Sequence, residues 1–176
     1  MQILFFLSKI KRLILEHKER RDDGMFFDKR IIKLGVDARN STEIITKMAN
    51  ALRERDVIKD AYLEHVLKRE ADFPTGLELK DGFGVAIPHT DSEYVNTSQI
   101  ALATLKNPVP FQSMVNKAVN VRVNIVFMIA MSQPHEQAQL LSNLMAFCQN
   151  KTAIKELMSV SDIEEADQIL KKYGLN

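Results

Sequence analysis

The sequence predicts an α/β fold, with a single central mixed β-sheet covered by helices on both faces. Two observations lead to this prediction. Short apolar segments typical of strands occupy the middle of the chain, whereas apolar residues at helical spacing dominate both flanks. The composition is that of a globular protein, since 45% of the 176 residues are hydrophobic and 27% are charged. One domain is expected at residues 25–176, which is long enough to bury a hydrophobic core.

The first part of this domain predicts one strand and two helices. Residues 31–36 form a short apolar run that suits an edge strand. A helix is expected after Asn40, because this side chain can cap its first turn and Glu43 stands three residues further on. A second helix should cover about residues 59–70. It ends before Pro74, which cannot continue a helix.

The second part predicts three strands followed by helices. The strands are expected at residues 84–87, 100–105 and 121–130, with the last in the centre of the sheet because it is almost wholly apolar. A helix follows from near Pro134. A capping box running from Ser161 to Glu164 then indicates the start of the last helix.

Residues 1–24 are expected to be an N-terminal extension outside the domain, with Met25 as its natural start. The apolar run at residues 3–7 is interrupted by Lys9 long before it reaches the length of a membrane span, and it lacks the features of a signal peptide. An amphipathic helix lying on a membrane surface is the alternative interpretation of this segment.

Charge and cysteine content narrow the function classes. Lys and Arg number 24 against 23 Asp and Glu, so no basic excess favours nucleic acid as a partner. Cys148 is the only cysteine, which excludes an intrachain disulfide and favours a cytoplasmic location, with the thiol buried as a small apolar group. The chain has no nucleophile elbow and no phosphate-binding P-loop. A metal held by His89, Asp91 and His135 would follow no recognised ligand spacing.

Of four histidines, His89 has the most informative position. It follows an apolar strand and Pro88, and the carboxyl end of a strand is where α/β folds commonly place ligand-binding groups. A neutral imidazole offers one lone pair as a nucleophile, and the group that holds the other nitrogen decides which one is free. For a single histidine a structural role remains the default, and His65 is expected to be a solvated surface residue.

Three short motifs, taken in order, favour a functional role for His89. They are Arg69-Glu70, the Pro-Thr-Gly of residues 74–76, and the Gly-Val-Ala-Ile-Pro-His of residues 84–89. Together they resemble the enzyme IIA domain of the fructose–mannitol type, a component of the bacterial phosphoenolpyruvate-dependent sugar phosphotransferase system. The sequence from Arg69 to Gly76 is most similar to that of the galactitol-specific members.

The resemblance implies a phosphotransferase component that needs no cofactor and no metal. His89 would accept a phosphoryl group from the small phosphocarrier histidine protein and pass it to a cysteine of an enzyme IIB, so that the membrane is involved only through the permease complex. Arg69 would stabilise the phosphoryl group, and Thr90, Thr75 and Gln137 are further candidates for contacting it. Gln137 occupies the position where many members carry a second histidine, which leaves the role of His135 open.

Two alternatives remain at the level of the sequence. A regulatory domain of the same fold would use the phosphorylation state of His89 to control another protein. A non-catalytic interaction module would hold His89 fully buried with both ring nitrogens bonded within the protein, whereas a phosphocarrier must present one nitrogen beside Arg69.

Overall fold

A computed structural model describes residues 26–134 and 136–175, and for Glu136 and Gln137 only the backbone. The predicted extension at residues 1–24 and His135 therefore lie outside the described residues. The described residues form five strands and five α-helices. They are β1 Ile32–Val36, α1 Ser41–Arg53, α2 Tyr62–Asp72, β2 Leu77–Glu78, β3 Gly84–Ala86, β4 Gln99–Gln112, β5 Asn120–Ala130, α3 Glu136–Gln149, α4 Lys151–Ser159 and α5 Ile163–Lys172, with a short 3₁₀ helix Ser92–Tyr94 before β4.

The strands form one mixed sheet in the order β1-β4-β5-β3-β2. β1 runs parallel to β4 and β3 runs parallel to β5, whereas β4 with β5 and β2 with β3 are antiparallel. The predicted single mixed sheet is thus confirmed. So is the central position of β5, whose apolar sequence suits a strand covered on both faces.

Each face of the sheet is covered by helices, as the sequence predicted. On one face α1 and α2 pack with side chains such as Met48 and Tyr62 against the inner residues of β4 and β5. On the other face α3, α4 and α5 bury Leu144, Phe147 and Leu170 against the alternate residues of the same strands. This alternation follows from the pleat of a strand, because successive side chains point to opposite faces. Cys148 is buried in the second layer, as expected.

Local capping explains where the helices begin. Asn40 accepts a hydrogen bond from the backbone of Glu43 at 2.9 Å, which confirms the predicted start of α1. The prediction for the last helix was wrong by one residue. Asp162, and not Ser161, caps α5 by accepting from the backbones of Glu164 and Glu165. A carboxylate is also favoured there by the partial positive charge of a helix N-terminus.

Two elements differ from the sequence prediction. β4 continues far past the expected end near residue 105, through Pro108 and Pro110. A register irregularity between Thr104 and Val109 accommodates this passage, since a proline lacks the donor that regular pairing needs. The helix α4 was not expected, and it begins where Asn150 accepts from the backbones of Thr152 and Ala153.

Among the described helices, none is both long enough and apolar enough to cross a membrane.

Candidate active site

His89 lies at the carboxyl edge of the two parallel strands β3 and β5, as its sequence position predicted. Residues 87–89 continue β3 along the end of β5, where the backbone N–H of Ile129 donates to the carbonyl of Pro88 at 3.0 Å. The carbonyl of the same Ile129 accepts from the buried Tyr62 hydroxyl at 2.6 Å. The segment that carries the histidine is therefore fixed to the central strand, and α2 is fixed to the same point.

The ring of His89 is held by its own neighbourhood. Its Nδ1 atom lies 2.8 Å from the carbonyl oxygen of Ile87. Because a carbonyl oxygen can only accept, Nδ1 must carry the proton and donate it. The lone pair of the neutral ring is then on Nε2, for which no hydrogen-bond partner is found in the described part of the chain. This is the arrangement of an imidazole prepared to act as a nucleophile through Nε2.

The electrostatic surroundings favour the neutral ring. Burial lowers the pKa of His89 most, because it penalises the charged form, and the nearby positive charge of Arg69 lowers it further. The hydrogen bond to Ile87 and the negative charge of Asp91 act in the opposite direction, and the net result is a pKa below the usual value for histidine. As a whole residue, His89 is only partly buried.

A shallow cleft of about 200 Å³ is lined by His65, Lys68, Arg69, Asp72, Phe73, Thr90 and Asp91. His89 is not among these lining residues, but the two residues that follow it in sequence are. Arg69 is 38% exposed and stands 3.9 Å from Asp91, measured from Nη1 to Oδ1. Its Nε atom is buried without a hydrogen-bond acceptor among the described residues. A planar guanidinium with donors still free is suited to the oxygens of a phosphoryl group.

An exposed aromatic side chain borders this cleft. Phe73 follows α2 directly and is 69% exposed. The guanidinium of Arg69 and the ammonium of Lys117 each lie 5.9 Å from the centre of its ring. Lys117 also donates to the carbonyl of Asp72, which links the β4–β5 hairpin to the end of α2. The site is therefore open, with an apolar group and cations at its rim.

The model of the protein family described as "Phosphoenolpyruvate-dependent sugar phosphotransferase system, EIIA 2" matches residues 25–173. The chain belongs to this family. As an EIIA protein it is a phosphotransferase component, as the sequence motifs implied. The galactitol-specific EIIA component of Escherichia coli strain K12 is 27% identical over 142 residues, which cover 81% of this chain and 90% of the relative.

Solved structures of EIIA proteins have the same fold. The PTS IIA protein PtxA from Streptococcus mutans superposes with a TM-score of 0.71 at 20% sequence identity, over 86% of this chain and 93% of the other. The mannitol enzyme IIA of Escherichia coli, solved in complex with phosphorylated mannitol enzyme IIB, gives a TM-score of 0.64 at 20% identity. That match covers 81% of this chain and 95% of the other.

The fold brings most of the predicted site residues of this EIIA chain together. Thr90 is 4% exposed and lines the same cleft as Arg69, next to His89 in sequence. Arg69 pairs with Asp91. It does not pair with Glu70 or Asp72, the acidic residues nearest to it in sequence. Asp91 precedes the 3₁₀ helix, but its side chain does not cap it.

Thr75 and Gln137 do not share this placement. Thr75 is buried behind the histidine segment, where its hydroxyl donates to Glu70 and accepts from the backbone N–H of Ile87. Both of these functions are thus already used, which gives no support for a direct phosphoryl contact. Gln137 belongs to α3, but its side chain is outside the described residues, as is His135.

Sequence reasoning missed two residues at the candidate site. His65 was expected to be a solvated surface residue, yet it lines the cleft and stacks on Tyr94 with 3.8 Å between ring centres. Its spacing of four residues from Arg69 on a helix was the available signal. Glu70 was noted only as part of a motif, although its spacing from Tyr62 and Val66 places it on the buried face of α2.

Proposed function

We propose that this chain is the phosphocarrier of a sugar phosphotransferase system, with His89 as the phosphoryl acceptor. The observation that carries the proposal is the ring of His89, whose Nδ1 is held by the Ile87 carbonyl while no described residue bonds to Nε2. Family membership supplies the reaction class. The histidine protein of the system would be the donor, and a cysteine of an enzyme IIB would be the acceptor.

The transfer step begins with the neutral ring of His89. The Nε2 lone pair of His89 attacks phosphorus in line, as the bond from phosphorus to the donor's ring nitrogen breaks and that ring leaves as a neutral imidazole. His89 keeps its Nδ1 proton, so its ring becomes positively charged when the new bond forms. The Ile87 carbonyl is placed to accept a stronger hydrogen bond from that charged ring. A cysteine thiolate would then attack the same phosphorus and return His89 to the neutral form.

Arg69 and Thr90 would act on the phosphoryl oxygens. The charge of the transferring group is spread over three oxygens, and fixed donors around it stabilise the transition state without reorganisation. Arg69 offers a guanidinium at the wall of the cleft, and the backbone that follows His89 brings Thr90 to the same wall. The cationic Arg69 also keeps His89 neutral before transfer, because it lowers the pKa of the ring.

The surroundings of the site fit protein partners better than a small molecule. A shallow cleft bordered by the exposed Phe73 can be covered by another protein, whereas a sugar site would be a deeper pocket. The solved complex of the mannitol enzyme IIA with its phosphorylated IIB supports an enzyme IIB as one partner. The galactitol-specific relative supports a polyol such as galactitol as the transported substrate. The chain would act in the cytoplasm.

Intact mass spectrometry after incubation with phosphoenolpyruvate, enzyme I and the phosphocarrier histidine protein tests the acceptor. Wild-type protein should gain one phosphate of about 80 Da that is lost in acid, and His89→Ala should gain none. His17→Ala is the matched control, because it removes a histidine outside the family match and should be labelled like wild type. His89→Gln serves as a second variant should the alanine variant fail to fold.

An unlabelled wild type, with a competent EIIA protein labelled in the same tube, would overturn the proposal in favour of an interaction module. A second stage adds purified galactitol enzyme IIB to the phosphorylated protein. Loss of phosphate from His89 with its appearance on the IIB cysteine supports transport. Phosphate that stays on His89 in the presence of this and other polyol IIB proteins would instead indicate the regulatory function.

A further inference from the structure

Glu70 is a buried carboxylate whose place in the fold needs an explanation. It is 9% exposed and lies in the last turn of α2, immediately after Arg69. No cation pairs with it among the described residues. Asp167, the other buried acid among the described residues, has the ammonium of Lys171 at 2.7 Å and the Arg30 guanidinium at 3.4 Å. A buried carboxylate without a cation is costly, so its retention points to a requirement for its acceptor atoms.

Glu70 is the first member of a hydrogen-bonded chain that ends at the ring of His89. Its Oε1 accepts from the backbone N–H of Thr75, and its Oε2 accepts from the Thr75 hydroxyl, both at 2.9 Å. The Thr75 hydroxyl oxygen accepts from the backbone N–H of Ile87 at 3.0 Å. The carbonyl of Ile87 accepts from Nδ1 of His89 at 2.8 Å.

One bond in this chain could run in either direction, and the carboxylate sets it, because the backbone N–H groups can only donate and the Ile87 carbonyl can only accept. Because both oxygens of an ionised Glu70 can only accept, the Thr75 hydroxyl must donate to it. The hydroxyl oxygen is then left to accept from Ile87. That bond holds Ile87 with its N–H towards Thr75 and its carbonyl towards the imidazole, and this carbonyl selects the Nδ1-protonated ring.

We propose that Glu70 is a positioning residue for phosphoryl transfer, which acts through Thr75 and the backbone of Ile87 to hold His89 with Nε2 free. This role rests on the proposed function of His89 as the phosphoryl acceptor. It also explains why Thr75 is buried behind the histidine segment and does not face the cleft. Arg69 and Glu70 then serve the same ring from adjacent positions in one helix turn, the first at the cleft and the second from the core.

A glutamine at position 70 cannot replace the carboxylate. Its amide has one accepting oxygen, and its NH₂ group can only donate. In either orientation the NH₂ group takes the place of a Glu70 oxygen that accepts a hydrogen bond in wild type. Either the Thr75 N–H or the Thr75 hydroxyl proton then loses its acceptor. Glu70→Gln therefore keeps the size of the side chain and removes the fixed direction of the bonds.

The test combines three variants with nitrogen NMR of the His89 ring at pH 8, where the carboxylate is ionised and the ring is neutral. Glu70→Gln and Thr75→Val break the chain, whereas Thr75→Ser keeps the hydroxyl and is the matched control. We expect wild type and Thr75→Ser to show a ring protonated at Nδ1. We expect the two disruptive variants to show a mixture with Nε2 protonated, and to be phosphorylated about tenfold more slowly at saturating donor.

Unfolding curves come first, and if one disruptive variant does not fold the other carries the test. Folded variants with an unshifted ring and an unchanged rate would overturn the role of Glu70. The NMR measurement needs no phosphoryl donor, which separates this proposal from the one it rests on. A wild type that is never phosphorylated, with a shifted ring in Glu70→Gln, would overturn phosphoryl transfer and leave the control of the ring by Glu70 intact.

Discussion

His89 experiences opposite charges from Arg69 and Asp91, which both line the cleft and lie 3.9 Å apart. Arg69 lowers the pKa of the ring and Asp91 raises it, while burial adds the largest lowering effect. A nucleophilic imidazole must be neutral before attack, so each of these effects changes the fraction of competent protein below neutral pH. The pair therefore tunes the histidine in addition to any contact with the phosphoryl group.

Two neutral variants should shift the His89 pKa in opposite directions. Arg69→Gln removes a positive charge and should raise the pKa, whereas Asp91→Asn removes a negative charge and should lower it. The acidic limb of the phosphorylation rate should follow, moving to higher pH in Arg69→Gln and to lower pH in Asp91→Asn. Proton NMR titration of the ring measures both pKa values, and shifts of the same sign in both variants would contradict this electrostatic picture.

Patterns along the chain predicted those elements whose signals are local. The Asn40 cap and the apolar β5 were found because capping atoms and strand periodicity need only neighbouring residues. β4 was expected only at residues 100–105. Pro108 and Pro110 are unusual inside a strand, and the long antiparallel pairing with β5 carries β4 through them. Likewise β2 has two residues and forms by pairing with β3, which no local pattern reveals.

For the candidate site, too, local signals could be predicted from the sequence and long-range contacts could not. His89 and Arg69 could be predicted from motifs and from a strand end, whereas the position of Thr75 could not. Its hydroxyl is turned inward by Glu70 and Ile87, which are separated from it by five and twelve residues. His65 needed the structure as well, because its contact with Tyr94 joins α2 to the 3₁₀ helix before β4. Sequence spacing indicates a shared helix face, but it does not give the partner across a loop.

β3 can carry His89 only because Gly84 allows it to lie close to β5. A Cβ atom at Gly84 would stand 2.3 Å from the carbonyl oxygen of Arg122, a backbone atom that cannot turn away. Gly84→Ala should therefore destabilise the fold by about 3 kcal/mol. Gly82→Ala is the control, since it has the same change and a positive φ but no atom within 4 Å, and should cost about 1 kcal/mol. Equal urea midpoints for the two variants would contradict the close approach.

At the scale of the whole molecule, the reactive edge is assembled from both halves of the chain. α2 supplies Arg69 and Glu70, the β3 extension supplies His89, and β5 fixes both through the two backbone groups of Ile129. The layer formed by α3, α4 and α5 packs on the opposite face of the same strands. The stability of the fold and the proposed chemistry of the site are therefore linked. Glu70, a buried acid, contributes to both.

This link gives the protein a pH-dependent stability that Glu70→Gln should remove. Burial raises the pKa of Glu70 from 4.5 to about 7, although two hydrogen bonds from Thr75 oppose the shift. The folded state thus binds a proton more tightly than the unfolded chain does. Wild type should have its full contribution from this group below about pH 4.5 and lose about 3 kcal/mol as the pH rises to about 7. The lowered pKa of His89 acts with the opposite sign, because the folded state binds a proton there less tightly than the unfolded chain does. Urea unfolding of wild type and Glu70→Gln from pH 4 to 8 measures the difference in their free energies of unfolding. Wild type should lose stability relative to Glu70→Gln as the pH rises. A difference that stays constant with pH would contradict the raised pKa of Glu70.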